Sequence, residues 1–365
     1  MWRWIGFSLM FLVEFLPGQT ETQLFDGIHY QHRLQADPPL SIHMVEVDPT
    51  KFRMVAARAL NSGIGRETVS SIAQRTGALI AINGGFFAIG GRYDGDPVGP
   101  LRINGRWYSD SSLDRGAIGW NPDGEVSIKR ISVRWYLVTP AGRFHFDGIN
   151  QQREDGQAVL YNWAFHRSTL TNPGGTEWTI KEGRVVSISK AGDSPIPVEG
   201  FVASFGPGRR FGPPGSVAPG VDVTIGNVIL SPDAALDARW NRFSEVLGGT
   251  PVLLSEGKLP DLTRERVRAS FVEERHPRTA VCIKPNGHWL LVVVDGRQPK
   301  LSQGMNLLEL ATLLSNEDCQ DALNLDGGGS STLVIKHEIK NNPSDFGVER
   351  PVSDALLVLT RRGEG

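Results

Sequence analysis

Cysteine, net charge and long apolar runs are all scarce in this sequence of 365 residues. Two cysteines are too few for a disulfide-stapled mini-domain. The 38 Lys and Arg against 40 Asp and Glu leave a net charge of −2, which excludes a basic nucleic-acid binder. Beyond the N-terminus no segment approaches the ~18 uncharged apolar residues of a membrane helix. With 40% hydrophobic residues the chain is not disordered, so we expect a globular protein with no stable membrane span.

Motifs of several common chemistries are also missing. The sequence has no His-Glu-x-x-His, no Cys-x-x-Cys and no Gly-x-Ser-x-Gly, so it supports neither an evident zinc site nor a serine-hydrolase elbow. A glycine-rich turn follows Leu325, but a β-branched strand comes after it where a nucleotide-binding helix would begin. The sequence therefore requires no cofactor and identifies no metal ligands, while a divalent cation stays compatible with it.

The first 18 residues predict an export signal. Arg3 supplies a positive start, Ile5 to Phe15 form an apolar stretch, and the helix-breaking pair Pro17-Gly18 follows. Eleven apolar residues are too few to span a bilayer. We therefore expect a secreted or periplasmic protein, with a short membrane anchor or an apolar first helix as the alternative.

Turns, by contrast, are abundant, because the chain contains 42 glycines and 23 prolines. The short apolar or alternating runs between them predict an α+β fold: a large mixed, mostly antiparallel sheet with few packed helices. We expect residues 19–365 to form one domain. Within it, a series of hairpins at about 120–246 predicts an embedded β-rich lobe.

The last third of the chain predicts a strand, a helix and a second strand. Trp289 to Val294 is apolar, Asn306 and Glu309 are spaced as a capping box, and Ala322 to Leu325 is a short apolar run. A crossover of this kind predicts a parallel strand pair. Cys282 lies in a strand-like run and Cys319 follows the helix; two unconnected buried thiols are favoured over a disulfide.

Two segments repeat the same order of elements. Ile80–Gly85 and Leu323–Gly328 each follow a helix-like run and consist of an apolar strand, a polar residue and two glycines. If this is a structural repeat, both turns lie at the same end of one sheet. Consecutive glycines let a backbone approach a ligand and direct N–H groups at an anion, although a tight turn alone also needs them.

At these turns the sequence resembles the phosphodiester glycosidase family. Five motifs occur in the family's order: Ile82-Asn83-Gly84-Gly85-Phe86-Phe87, Pro277-Arg278-Thr279-Ala280-Val281, Val294-Asp295-Gly296-Arg297, Ser302-x-Gly304-Met305 and Asn324-Leu325-Asp326-Gly327-Gly328-Gly329-Ser330-Ser331-Thr332. The resemblance implies a hydrolase that cleaves a sugar-1-phosphodiester into free sugar and a phosphomonoester. Its partner would be a sugar-phosphate or glycan substrate. Such a substrate already has a good leaving group, the phosphate. Hydrogen-bond donors to the phosphate oxygens and a carboxylate near the anomeric carbon would therefore suffice for catalysis.

The family motifs supply the candidate site residues. The expected catalytic residues are Asp326, Asp295, Arg278 and Asn324. The expected substrate-binding residues are Asn83, Gly84, Gly85, Phe86, Arg297, Gly327, Gly328, Gly329, Ser330 and Ser331. Asp326 leads because it follows a strand and precedes the glycines, and Arg278 suits the phosphate because its planar fork grips two oxygens. Glu256 and Asp94 are reserve carboxylates.

Two alternatives from other functional classes stay open. One is a non-catalytic carbohydrate-binding protein of the cell envelope on the same scaffold. The other is a metal-assisted phosphodiesterase in which Asp94, Asp96 and Asp326 hold Mg²⁺ or Ca²⁺ through oxygen ligands. The sequence leaves the sugar and the oligomeric state open.

Overall fold

Antiparallel β-sheet dominates the computed structural model, which describes residues 18–111, 113–122, 124–209, 217–231 and 238–361. The strands are β1 Gln19–Phe25, β2 Ile28–Ala36, β3 Pro39–Val47, β4 Phe52–Arg58, β5 Ile80–Asn83, β6 Phe86–Phe87, β7 Pro97–Val98, β8 Leu101–Ile103, β9 Arg106–Ser109, β10 Arg115–Trp120, β11 Val126–Thr139, β12 Gly142–His145, β13 Gly148–Ile149, β14 Ala158–Tyr161, β15 Thr176–Lys181, β16 Arg184–Ser189, β17 Phe201–Phe205, β18 Thr224–Leu230, β19 Glu245–Gly248, β20 Val252–Leu254, β21 Arg278–Ile283, β22 Trp289–Val294, β23 Asp321–Asn324, β24 Leu333–Ile335, β25 Glu338–Ile339 and β26 Asp354–Thr360. The helices are α1 Val69–Thr76, α2 Ala238–Arg242, α3 Ala269–Glu273 and α4 Leu307–Asn316, with 3₁₀ turns at Ala59–Asn61, Gly91–Tyr93 and Gly328–Ser330. The expected α+β fold is confirmed. Apart from Gly18, the expected export signal lies outside the described residues.

The strands form four larger sheets and the small β6–β7 hairpin. The first sheet has the order β1-β2-β3-β22-β21-β23-β20, and the second has β25-β24-β5-β26-β4. The third runs β12-β11-β10-β19-β8-β9 with β18 also on β11, and the fourth runs β13-β14-β17-β15-β16. Among the described strands β13 and β14 pair parallel, and the other pairings are antiparallel. No helix in the part of the chain that is described has the length and apolarity needed to cross a membrane.

The first three sheets enclose one apolar core. In β22 the odd-numbered residues, such as Leu291 and Val293, face this core, whereas Leu290 and Val292 face outward toward α4. This explains why every residue of β22 is apolar: the strand is buried on both faces. Helix α1 covers the outer face of the second sheet in the same way.

The capping box at the start of α4 is confirmed. Oδ1 of Asn306 accepts a hydrogen bond from the Glu309 N–H at 2.8 Å, and Oε2 of Glu309 accepts one from the Asn306 N–H at 3.0 Å. Leu307, Leu310 and the other apolar residues of the same face are buried against the first sheet.

The expected parallel strand pair around α4 is wrong. Strands β22 and β23 point in the same direction but do not touch, because β21 lies between them and pairs antiparallel with both. The reason is that β22 is already paired on both edges, with β3 on one side and β21 on the other. The crossover through α4 therefore places β23 at the other edge of β21.

The expectation of two free thiols is also wrong, because Cys282 and Cys319 form a disulfide. Cys282 lies on the outer face of β21, and Cys319 follows the end of α4, which packs on that face. Their Cα atoms are 5.8 Å apart, within disulfide range. The burial expected of both sulfurs is confirmed.

Strands β11 to β18 occupy the region for which a β-rich lobe was expected. A second core lies between parts of the third and fourth sheets and contains Trp135 and Trp178. Trp107 and Ala117, which precede this region in the chain, pack into the same core. The lobe therefore shares its apolar interior with strands of the main body.

Candidate active site

The two glycine turns meet, although their strands belong to different sheets. Nδ2 of Asn83 donates a hydrogen bond to the Asp326 carbonyl oxygen at 2.7 Å, and the Asp326 N–H donates to the Gly84 carbonyl at 3.1 Å. Strand β5 is in the second sheet and β23 in the first. The expectation that one sheet holds both turns is therefore wrong, and the turns join the two sheets at the site.

Asn83 and Asn324 are held by the fold itself. Asn83 is fully buried, and its Oδ1 accepts from Oγ1 of Thr279 at 2.8 Å and from the Thr332 N–H at 3.2 Å. Nδ2 of Asn324 donates to the Thr250 carbonyl at 2.7 Å, while its buried Oδ1 has no partner among the described residues. These contacts make Asn83 a positioning residue for the loop that carries Asp326.

The glycines after Asp326 are required by close packing and by backbone conformation. Gly328 has φ +61, the left-handed region that glycine adopts at least cost. A Cβ at Gly329 would overlap the ion-paired side chains of Arg350 and Asp345. Glycine is therefore the residue that fits at both positions.

The backbone donors of this turn are mostly used within the protein. The Gly327 N–H binds Oδ1 of Asp326, and the Gly328 N–H binds the Pro277 carbonyl, both at 2.9 Å. The N–H groups of buried Ser330 and Ser331 donate to the carbonyls of Gly327 and Gly328. With these donors occupied, an anion at this site must be bound chiefly by side chains.

Arg278 is a buried cation without a carboxylate partner. Only 1% of the residue is exposed, and Nε donates to the Met305 carbonyl while Nη2 donates to the carbonyls of Phe271 and Glu274, at 2.8 to 2.9 Å. No carboxylate in the described part of the chain forms an ion pair with it. Burial, and after it the charge of Arg297, lowers the pKa of Arg278 to about 10.

Two further basic groups border Arg278. Exposed Arg297 lies against Gly328, and its Nη2 is 3.5 Å from Nδ1 of His276. Burial, followed by the charges of Arg278 and Arg297, lowers the pKa of His276, which also contacts Glu274 at 3.3 Å. The group has positive potential, which favours an anionic ligand.

Asp326 stands beside this basic group as a carboxyl with a raised pKa. Its backbone is fixed next to β21, because the Leu325 N–H donates to the Thr279 carbonyl and Gly327 packs against Pro277. Burial raises the pKa of Asp326 to about 6, and the nearby charge of Asp354 adds to the increase. Protonation and ionisation are thus both accessible near neutral pH, as acid–base chemistry requires.

Sequence analysis missed Asp354 as a site residue. This buried carboxylate accepts the Gly85 N–H on Oδ1 at 2.8 Å and the Ser353 hydroxyl on Oδ2 at 2.7 Å. A Cβ at Gly84 would overlap Oδ1, which explains the glycine there. A carboxylate at the first position of the otherwise apolar β26 was an available signal. His276, directly before the Pro277-Arg278 motif, was missed as well.

Asp295 lies in a different environment from Asp326. It is buried, and its Oδ2 accepts from Oγ of Ser41 at 2.8 Å and lies 3.3 Å from Nε2 of His43. Its Oδ1 accepts from Nδ2 of Asn341 and from the Asn342 N–H. The structure therefore engages both oxygens in contacts that hold the segment leading to Arg297.

Aromatic rings form one wall of the site. The guanidinium of Arg278 lies 5.1 Å from the ring centroid of Phe271, and Phe86 meets Phe271 edge-on at 6.0 Å. Both rings are half-buried. Phe271 thus links Phe86 to Arg278, and a half-buried ring at this place suits a sugar.

The reserve carboxylates lie away from Asp326. Glu256 binds the side chain of Asp321 through its backbone N–H, at the opposite end of β23, and Asp94 pairs with Arg66 at 2.9 Å. No group of three or more His, Cys, Asp or Glu side chains positioned to hold a metal occurs among the described residues. Asp94, Asp96 and Asp326 therefore do not form the cation site of the phosphodiesterase alternative.

Comparison with known proteins places this geometry in a family. The enzyme N-acetylglucosamine-1-phosphodiester alpha-N-acetylglucosaminidase of Mus musculus is 35% identical over 134 residues, which are 34% of this chain and 25% of the mouse enzyme. A hypothetical protein from Synechocystis has a similar crystal structure, with a TM-score of 0.82 and 25% identity, covering 95% of this chain and 64% of that one. The crystal structure of a Burkholderia pseudomallei protein, provisionally named an exported protein, is also similar. Its TM-score is 0.74 at 22% identity, and the match covers 88% of this chain and 74% of that one.

The family model provides the decisive match. The model of the phosphodiester glycosidase family matches residues 174–359, which is just over half of the chain and includes Arg278, Arg297, Asp326 and Asp354. By this match the chain belongs to the phosphodiester glycosidase family.

Proposed function

We propose that this protein hydrolyses a sugar-1-phosphodiester to free sugar and a phosphomonoester. The observation that carries the proposal is the buried Arg278, a cation with no carboxylate partner among the described residues, beside the loop of Asp326. Backbone carbonyls accept three of its hydrogen bonds, but a charge buried without a counterion is costly unless a ligand neutralises it. A phosphodiester would do so, and Arg297 would add a second cation at the rim.

The chemistry needs one bond to break between the anomeric carbon and the phosphate oxygen. The phosphate leaves with the electron pair of that bond, and Arg278 and Arg297 stabilise its charge. Asp326 supplies the carboxylate that either accepts the proton of the attacking water or itself attacks the anomeric carbon. In the second case water then hydrolyses the glycosyl ester, which releases the sugar and restores the carboxylate. Asn83 positions the Asp326 loop, and Phe86 offers a surface to the sugar ring.

We also propose that the protein works outside the cytoplasm. The disulfide between Cys282 and Cys319 supports this location, because disulfides persist in oxidising compartments such as the periplasm. The N-terminal pattern of one Arg followed by an apolar stretch supports the same conclusion. Fractionation of cells that produce the full chain would test it, and a purely cytoplasmic product would contradict it.

The test of the activity is a screen of sugar-1-phosphodiesters that measures both free sugar and new phosphomonoester. Running the reaction in ¹⁸O-labelled water identifies the bond that breaks. We expect the label in the sugar, whereas label in the phosphate would indicate attack at phosphorus. Binding of substrates without any hydrolysis would favour the alternative of a carbohydrate-binding protein.

A further inference from the structure

We propose that the loop Pro343–Val348 binds an apolar group esterified to the phosphate of the substrate; this rests on the proposed function and specifies its substrate class. The observation is Phe346, whose side chain is completely exposed at the tip of this loop. Val348, two residues later, is also 65% exposed. The substrate we infer is an amphiphilic phosphodiester with a sugar on one side and a hydrocarbon group on the other.

The loop is well built, so the exposure of Phe346 does not result from a lack of local structure. The Gly347 N–H donates to the Pro343 carbonyl and the Val348 N–H to the Asp345 carbonyl, both at 3.0 Å. Phe346 itself has φ +56, a conformation that costs energy in a residue with a Cβ. The turn thus holds a large apolar ring in solvent, in a backbone conformation that costs energy.

The loop is attached to the phosphate site. Asp345, the residue before Phe346, pairs with Arg350 at 2.8 Å, and both side chains pack directly on Gly329. The neighbouring glycine, Gly328, lies against the guanidinium of Arg297. A short chain of contacts therefore links the loop to the turn that lies against Arg297.

This continuity identifies the occupant. A phosphodiester bound at Arg278 and Arg297 carries its sugar toward Asp326 and Phe86, and its second ester group must leave the site by another side. The Phe346 loop borders the cations, and its two most exposed residues are apolar. A hydrocarbon group there would be removed from water against Phe346 and Val348, which favours binding.

The experiment uses the reaction product, because it needs no knowledge of the sugar. Binding of methyl, butyl and octyl phosphate is measured by calorimetry at concentrations where each is monomeric. The proteins are the wild type, Phe346→Ser, Val348→Ser and the control Val198→Ser, which removes another exposed valine from the lobe. Each fully buried methylene strengthens binding by about fourfold. Even if the octyl chain is only partly buried, octyl phosphate should bind the wild type about tenfold or more tightly than methyl phosphate.

We expect Phe346→Ser to bind methyl phosphate like the wild type and to lose most of the octyl advantage, with a smaller loss in Val348→Ser and none in Val198→Ser. Equal affinity of the wild type for methyl and octyl phosphate would overturn the inference and leave the proposed function intact. Failure of all three phosphates to bind would instead contradict the proposed function. Sedimentation of the same proteins tests a rival use of the loop: a wild-type dimer that Phe346→Ser dissociates would make it a contact between copies and overturn the inference.

Discussion

The backbone N–H of Gly85 donates a 2.8 Å hydrogen bond to Oδ1 of Asp354, two residues separated by 269 positions in the chain. The neighbouring Gly84 accepts the N–H of Asp326. Adjacent glycines thus form hydrogen bonds with both Asp354 and Asp326. The charge of Asp354 helps to raise the pKa of Asp326. Asp354 has both oxygens occupied, so we assign it to positioning and to tuning Asp326.

Replacing Asp354 by Asn should therefore move the pH profile. The amide keeps an oxygen for the Gly85 N–H but removes the negative charge that raises the pKa of Asp326. In the wild type, the ionisation of Asp326 should appear near pH 6 as one limb of the profile of kcat/KM against pH. In the variant this limb should shift to lower pH, whether the protonated or the ionised form of Asp326 is active.

Asp110→Asn provides the matched control for this experiment. Asp110 is also a buried carboxyl with a raised pKa, but it lies against Ile149 of the lobe. Its replacement should leave the limb unchanged. An unmoved limb in Asp354→Asn, with folding intact by circular dichroism, would contradict the coupling of Asp354 to Asp326.

Asp326→Asn should lower turnover by about a hundredfold or more, the scale for loss of a general acid–base or key electrostatic group. The amide can still accept the Gly327 N–H, so we expect the free energy of unfolding to change by no more than about 1 kcal/mol. Steady-state kinetics and denaturant unfolding measure the two quantities. Near-wild-type turnover in a folded variant would remove Asp326 from the reaction.

Arg297→Gln should weaken binding of methyl phosphate by about tenfold, the scale of one charge-assisted hydrogen bond, with little change in stability because the side chain is exposed. Arg264→Gln, which removes another exposed guanidinium, near Asp261, serves as control and should have no effect. Calorimetric titration compares the two variants. Equal affinities would show that Arg297 does not contact the phosphate.

The stability contributed by three buried carboxyls should fall as the pH rises from about 4 to 8. Burial raises the pKa of Asp110 to about 8, from 3.8 in its ordinary state, so the folded chain holds a proton that the unfolded chain releases. Stability from this group is complete below the unfolded pKa and is lost as pH rises through the folded one. Buried Asp96 and Glu245, with pKa values raised to about 7, act in the same direction.

The variant Asp110→Asn isolates one of these groups. It should lose less stability than the wild type between pH 5 and about pH 8, measured by denaturant unfolding at each pH. Parallel pH curves for the two proteins would show that Asp110 ionises equally in the folded and unfolded chains.

Removing the disulfide should lower the free energy of unfolding by about 4 kcal/mol, the chain-entropy value for a loop of this size. The two cysteines are separated by 37 positions, and the bridge ties β21 to the end of α4. Denaturation of Cys282→Ala/Cys319→Ala against the wild type, with and without reductant, measures the effect. Reductant should lower the unfolding midpoint of the wild type and leave that of the variant unchanged. The same midpoint for all samples would mean that the bridge does not stabilise the fold.

The features that could be predicted are those that depend on residues close together in the chain. The Asn306–Glu309 capping box, the strand before each glycine turn and the mostly antiparallel architecture could all be predicted, because hydrogen bonding and burial at these places follow local patterns. The motifs that indicated the family also lie in short continuous segments. Asp326 is therefore a candidate on sequence grounds alone.

Contacts between distant residues follow from the packing of the whole chain and could not be predicted. The insertion of β21 between β22 and β23, the Cys282–Cys319 bridge and the contact of Asp354 with Gly85 all depend on the order of strands in the sheets. The environment of Arg278 is of the same kind: among the described residues its guanidinium binds backbone carbonyls and no carboxylate, and these carbonyls come from separate segments of the chain. Local sequence patterns specify which faces are buried; packing of the whole chain specifies what each face is buried against.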